Sequence, residues 1–179
     1  MKIVAVSQRV EYYPKRAEYR DMLDQRLVTF LASCGALAVP VPNMLVRMEQ
    51  LSSWLNIVKP HGIVLSGGND IGESPERDQT ERMLLVRAEA SELPVLGICR
   101  GMQMLGNFAG TELKVVEGHA GTRHLVDGVL RGEVNSFHNY ALKNAPEHYS
   151  VLAHSDDGVI KAIRHTNLPW EGWMWHPER

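Results

Sequence analysis

Three short stretches of the 179-residue chain combine residue types that could break an amide bond. The first is Pro94-Val-Leu-Gly-Ile-Cys-Arg-Gly-Met-Gln-Met-Leu105, an apolar run that enters a helix-like segment through Gly97-Ile98-Cys99-Arg100-Gly101. Glycine two residues either side of a central cysteine is the pattern of a nucleophile elbow. The crowded strand-to-helix turn leaves no room for a Cβ, and it pushes the central side chain out at the sheet's carboxyl edge. There the helix N-terminus, with its free N–H groups and dipole, predicts an exposed Cys99 that favours thiolate over thiol. An inert core cysteine behind a strand is the plainer alternative.

The second stretch is Gly62-Ile-Val-Leu-Ser-Gly-Gly-Asn-Asp70, a strand that ends in a glycine pair. Such a pair can lay backbone N–H groups beside a developing oxyanion, so Gly68 N–H would supplement the N–H of Arg100. By composition alone it is also an ordinary turn. The third is Trp173-Met-Trp-His-Pro-Glu178. In extended backbone residues i and i+2 share a face, which lets Glu178 orient and support the imidazole of His176. A solvated histidine beside a surface carboxylate is the commoner use of such a pair. Glycine pair, elbow and terminal His-Pro-Glu in one chain, in that order, point to acyl transfer through a cysteine nucleophile.

Weaker candidates surround these. Gln103, one helical turn beyond Cys99, could reach back to a substrate, or it could be a solvated helix residue. Ser136 and His138, with Phe137 between them, follow a strand and could hold substrate amino and carboxylate groups, or serve structural hydrogen bonds. Gly67 completes the set of candidate substrate contacts. His119, His124 and His138 raise the question of zinc, but no HExxH, paired CxxC or carboxylate cluster stands at ligand spacing, so no metal or cofactor is expected. Trp170, Trp173 and Trp175 read as packing or lining residues, because no basic groove accompanies them.

The elements that must position these residues alternate. Lys2–Ser7, Ala36–Val41, Gly62–Ser66 and Pro94–Cys99 read as strands, with helical spacing between them at Leu23–Cys34, Met48–Val58 and Arg77–Glu92. That order predicts a parallel sheet covered by helices. Leu23, Leu27, Phe30, Leu31 and Cys34 form one apolar stripe, which makes Cys34 a core residue. Beyond it, Gly128–Val134, Tyr149–Ala153, Val159–Arg164 and Gly172–Trp175 look like strands joined by turns, so hairpins replace βαβ units. Glu112–His124 reads as short and irregular. No repeat or linker divides the chain, and residues 1–179 are expected to form a single domain.

A formal charge of −2 and the absence of any long Lys/Arg run make nucleic acid a poor partner and a small molecule the better one. Two cysteines are too few for a disulfide framework. MKIVAVSQRV lacks a secretory apolar core, and nothing approaches a membrane span, which predicts a cytoplasmic protein without membrane contact.

The combination resembles the class I glutamine amidotransferase superfamily across nearly the whole chain, with Cys99, His176 and Glu178 matching its Cys-His-Glu triad. Ser66-Gly-Gly-Asn-Asp70, Gly97-Ile-Cys-Arg-Gly-Met-Gln103 and Ser136-Phe-His138 look closer to the γ-glutamyl hydrolase branch than to synthetase-linked glutaminases. The arginine directly after the nucleophile is the main clue. Still narrower, Val134-Asn-Ser-Phe-His-Asn-Tyr140, Asp157-Gly-Val-Ile-Lys-Ala162 and Trp175-His-Pro-Glu-Arg179 are similar to γ-glutamyl-CDP-amidate hydrolases of bacterial surface-polysaccharide phosphoramidate pathways.

The resemblance implies an α/β, flavodoxin-like fold with a central, mostly parallel sheet, flanking helices and a hairpin-rich C-terminal half. It implies release of glutamate from a γ-glutamyl amide without a cofactor, and it leaves room for a homodimer. If the leaving side is a nucleotide phosphoramidate, Arg100, Arg123 or Arg131 would be available to meet its phosphates. Two rivals remain: a glutaminase subunit that delivers ammonia to a synthetase, and a non-catalytic sensor of a γ-glutamyl ligand.

Overall fold

The computed structural model describes residues 1–179. Its first half builds the parallel part of a sheet. Strand β1 (Lys2–Val6) is followed by a two-stranded hairpin, β2 (Arg9–Tyr13) and β3 (Glu18–Met22), and then by helix α1 (Gln25–Ser33). Strand β4 (Ala36–Pro40), helix α2 (Leu51–Val58) and strand β5 (Gly62–Leu65) come next. Helix α3 (Pro75–Ala90), strand β6 (Val95–Ile98) and helix α4 (Arg100–Phe108) complete this half.

The second half is strand-rich: β7 (Leu113–Val115), β8 (Ala120–Gly128), β9 (Gly132–Phe137) and β10 (Tyr140–Leu142). It closes with β11 (Tyr149–Ser155), β12 (Ile160–His165) and β13 (Trp170–Trp173).

Nine strands form one mixed sheet in the order β4-β1-β5-β6-β13-β12-β11-β8-β9. The first five are mutually parallel, and the remaining pairings are antiparallel. The crossovers explain the split. Strands β4, β5 and β6 are each reached through a helix, whereas β8–β9 and β11–β12 follow one another through turns too short for a parallel return.

Local sequence accounts for the covering helices. Asp24 caps α1 by accepting from the Arg26 N–H at 2.9 Å, and Leu27 and Leu31 are the residues it buries. Pro75 opens α3 with Glu76 and Asp78 in its first turn, where acidic side chains suit the positive end of the dipole. Lys59, left-handed at φ 46°, ends α2 just before Pro60. Strand β5 is buried at all four positions, as a parallel strand covered on both faces must be. No helix is long and apolar enough to cross a membrane.

Several expectations are corrected. Cys34 is exposed, because α1 stops at Ser33 and the chain turns outward at the helix C-cap. Gly128–Val134 is the β8–β9 turn with the start of β9, and Gly128 and Gly132, at φ 146° and 142°, make that turn. Most of the stretch read as irregular, Glu112–His124, belongs to β7 and β8. A register shift between Ala120 and Thr122 breaks its alternation. The hairpin Arg9–Met22 carries too many charges to show a buried face and escaped the pattern.

Candidate active site

Register brings the three stretches to one edge. Leu65 of β5 pairs with Gly97 of β6, and Ile98 of β6 pairs with Trp173 of β13, so all three strands end side by side. The glycine pair, Cys99 and the His-Pro-Glu segment leave these ends. This is the carboxyl edge where parallel sheets place their sites. Gly67, Gly68, Cys99, His176 and Glu178 all line one cavity of about 370 Å³, with Leu27 and Phe137 on its apolar side.

Cys99 has φ 52° and ψ −105°, a positive-φ conformation unusual for a non-glycine residue, and it caps α4. The flanking glycines are sterically necessary. A Cβ on Gly97 would lie 2.6 Å from the Gly101 carbonyl carbon, and one on Gly101 would run into the Leu65 backbone.

The exposure expected of this cysteine is overturned, and its burial opposes the expected thiolate. Cys99 is 4% exposed, packed with Val6, Leu27, Val64 and Ile98 beneath the cavity floor. Burial pushes its thiol up to about 11, outweighing the opposing pull of the Arg100 N–H and of the more distant Arg179 and Lys161 charges. The side chain that the elbow turns outward meets other parts of the protein there, and that burial favours the neutral thiol.

His176 is buried and holds Glu178 tightly: Nδ1–H donates to Oε1 at 2.7 Å. Its other ring nitrogen lies 3.3 Å from where a Gly67 side chain would begin, so the absence of that side chain makes room for the ring. The backbone of His176 is held as well. Its N–H donates to Asn135 Oδ1 at 2.8 Å, and its carbonyl accepts from Asn135 Nδ2 at 2.8 Å. This reciprocal pair was not anticipated, although Asn135 sits in the Val134–Tyr140 motif; nothing in a sequence says which side chain will pair with a backbone 41 residues away.

The other candidates separate. Gly67 and Phe137 line the cavity, and the Phe137 ring meets His176 edge-on at 5.8 Å. Gln103, Ser136 and His138 do not line it. Gln103 is buried and donates to the Tyr140 carbonyl at 2.8 Å, because its side chain points to β10 instead of the cavity.

Ser136 and His138 face Lys161, a buried ammonium that donates to Ser136 Oγ, His138 Nε2 and His119 Nδ1 at 2.9–3.0 Å. His119 in turn contacts Asp157 at 2.8 Å and stacks on His124 at 4.2 Å. The histidines that raised the question of zinc therefore gather around an amine. Desolvation beside that amine lowers His138 to about 3, and desolvation brings Lys161 down to about 8.

The arginines also change places. Arg100 is buried and engaged by Glu81, Asp78 and the Asn69 carbonyl. Arg123 and Arg131 are exposed and paired with Glu133 and Asp127. The cationic side chains that do line the cavity are Arg9, from the unforeseen hairpin, and Arg179.

Comparison with known proteins agrees with this architecture. The model of the class I glutamine amidotransferase family matches residues 18–179. A γ-glutamyl-CDP-amidate hydrolase of Campylobacter jejuni is 32% identical over 134 residues, covering 72% of this chain and 66% of that protein, just under two thirds of its length. Component 2 of anthranilate synthase from Thermococcus kodakarensis is 31% identical over 193 residues, covering 98% and 86%. Among solved structures, a putative GMP synthase subunit from Thermoplasma acidophilum superposes with a TM-score of 0.78 at 21% identity, covering 100% of this chain and 85% of that one. A Thermotoga maritima glutamine amidotransferase gives 0.75 at 18%, covering 99% and 76%. With the fold, the carboxyl-edge site and a family match over almost its full length in agreement, the chain belongs to the class I glutamine amidotransferase family.

Proposed function

We propose that this chain is a cysteine-dependent hydrolase that cleaves γ-glutamyl amide bonds and releases glutamate. The observation that carries the reading is the convergence of Cys99, the His176–Glu178 pair and the Gly67–Gly68 turn on one cavity.

Because burial keeps Cys99 a thiol, His176 acts first as general base. As Cys99 Sγ attacks the γ-carbonyl carbon, the thiol proton passes to His176 Nε2, and the N–H groups of Gly68 and Arg100 stabilise the oxyanion. Collapse of the tetrahedral intermediate breaks the C–N bond, and His176 returns the proton to the leaving nitrogen. Water then attacks the γ-glutamyl thioester, giving one proton to His176, which passes it to the departing sulfur as glutamate forms. Glu178 holds the ring in the required tautomer and supports the imidazolium.

For the leaving group we propose a nucleotide-linked phosphoramidate such as γ-glutamyl-CDP-amidate. The Campylobacter relative named for that substrate supports this, as do two guanidinium groups lining the cavity. A second reading, a glutaminase subunit delivering ammonia, is favoured by the anthranilate synthase component, which aligns with nearly all of this chain.

The experiment compares kcat/KM for glutamine, simple γ-glutamyl amines and γ-glutamyl-CDP-amidate on the purified chain. The expected result is at least about a hundredfold preference for the phosphoramidate, about 2.7 kcal/mol of differential transition-state binding. Glutamine as the best substrate would promote the ammonia-delivering reading.

A further inference from the structure

Arg77 is fully buried on α3, does not line the cavity, and spends its guanidinium on the turn that follows β5. Its Nη2 donates to the Ser66 carbonyl at 2.7 Å, the Gly67 carbonyl at 3.0 Å and Ser66 Oγ at 3.2 Å. Nη1 reaches Asn69 Oδ1 at 3.3 Å, and Nε donates to Glu81 Oε1 at 3.1 Å. Glu81 is itself anchored by Ser7 Oγ at 2.8 Å and by Arg100. One rigid fork thus grips two successive carbonyls of the turn and is fixed from behind by a buried carboxylate.

We infer that Arg77 is the positioning residue that sets the oxyanion-binding face of the site. The peptide between Gly67 and Gly68 is planar and trans, so its C=O and N–H point in opposite directions. Arg77 holds that carbonyl on the side away from the cavity, and the N–H of Gly68, which makes no hydrogen bond within the protein, is thereby turned toward it. Gly68 itself sits at φ 101°, a conformation only glycine adopts readily, so the turn has no strong local preference of its own. With glycines on both sides, that peptide could rotate at little steric cost, and the arginine removes the freedom. The hole is then formed before substrate arrives, and acylation needs no partner protein to flip the peptide. This inference rests on the reading of Cys99 as the nucleophile.

The test replaces Arg77 with Lys, which keeps the charge but cannot span two carbonyls and Glu81. Arg77→Met, similar in length and without charge, serves as the second variant should the first not fold. Two rates are followed: turnover of a γ-glutamyl amide, and alkylation of Cys99 by iodoacetamide at about pH 9, a reaction that develops no oxyanion.

The expected result is a kcat lower by about 100-fold or more, the cost of losing one oxyanion donor, with KM and the alkylation rate within about threefold of the parent protein. A kcat that stays within about threefold in either variant overturns the assignment. So does an alkylation rate that falls in step with kcat, since that marks a general collapse of the site. Failure of the parent chain to turn over any γ-glutamyl amide is read separately, before Arg77 is altered, and counts against the proposed function itself.

Discussion

The buried thiol makes a quantitative prediction that reverses the one its motif suggests. An elbow cysteine at a helix N-terminus should outpace an ordinary cysteine in alkylation, yet here Cys99 is buried with its thiol pushed up to about 11, and Cys34 is exposed. At pH 8 an ordinary thiol with a pKa of about 8.5 is roughly one quarter thiolate, and one at about 11 is only about a thousandth, a ratio of about 240. The more basic thiolate is intrinsically the better nucleophile. With a Brønsted coefficient of about 0.4–0.5 across about 2.5 units, that returns roughly 10- to 18-fold.

Cys99 should therefore react with iodoacetamide about 13- to 24-fold more slowly than an ordinary free thiol at pH 8, before its poor access is counted, and the exposed Cys34 should outpace it. Its rate should climb close to tenfold per pH unit through pH 9, because a raised pKa keeps the group protonated across that range. The assay is a time course of the two cysteine-containing peptides by mass spectrometry, at several pH values and without substrate. A Cys99 rate above that of Cys34 at pH 7, on a plateau that does not rise with pH, would refute the reasoning. It would mean that a Cys99–His176 ion pair is already formed and that attack needs no concerted proton transfer.

The remaining predictions follow from contacts already described. His176→Ala should abolish acylation in rapid-quench experiments, whereas Glu178→Gln should leave a reduced but measurable rate, since in the proposed mechanism one moves protons and the other orients the ring. Gly101→Ala drives a Cβ into the Leu65 backbone and should lower stability by about 3 kcal/mol or more in urea titrations; a loss below about 1 kcal/mol would show that the elbow can widen. His138, held near 3 by burial beside Lys161, is depressed in the folded state, so the unfolded chain binds the proton first as pH falls. Stability should therefore decline from about pH 6.5 toward 3, by an upper bound of about 4–5 kcal/mol from this group. His138→Asn should flatten that decline, and an unchanged acid profile in the variant would discount the histidine.

The sequence was most informative where chemistry and backbone sterics coincide. Gly97 and Gly101 spell out an elbow around Cys99 because a Cβ at either would run into backbone, and β5 and β6 show as continuous apolar runs because both their faces are covered. Side-chain direction was not legible. Ser136 and His138 read equally as substrate contacts or as structural hydrogen-bonding residues, and the partner that claims them is Lys161, whose burial in β12 nothing local betrays. Arg77 was hidden for a related reason. Helix α3 buries Leu84, Leu85 and Ala88, but the same face carries Arg77 and Glu81 in its first half, so a fully buried arginine there looks like any solvated one. Cys34 misled in the opposite direction, since a helix that ends one residue early turns its last apolar position outward.

The adjacency of β5, β6 and β13 also separates two design problems within one molecule. The spacing of Cys99, His176 and the Gly67–Gly68 turn is set by hydrogen-bonded neighbours in the middle of the sheet, where a shift of one strand carries its companions with it. The cavity walls that would meet a leaving group come from elsewhere, with Arg9 on the β2–β3 hairpin and Phe137 at the end of the last edge strand. The base of the hairpin Arg9–Met22 is nevertheless tied to the turn after β5, because Val10 N–H donates to Asn69 Oδ1 at 2.8 Å and the Val10 carbonyl accepts from Asn69 Nδ2 at 2.9 Å. The separation is therefore incomplete: a change at Arg9 alters a cavity wall, and a change at Val10 beside it also moves the turn that faces Cys99.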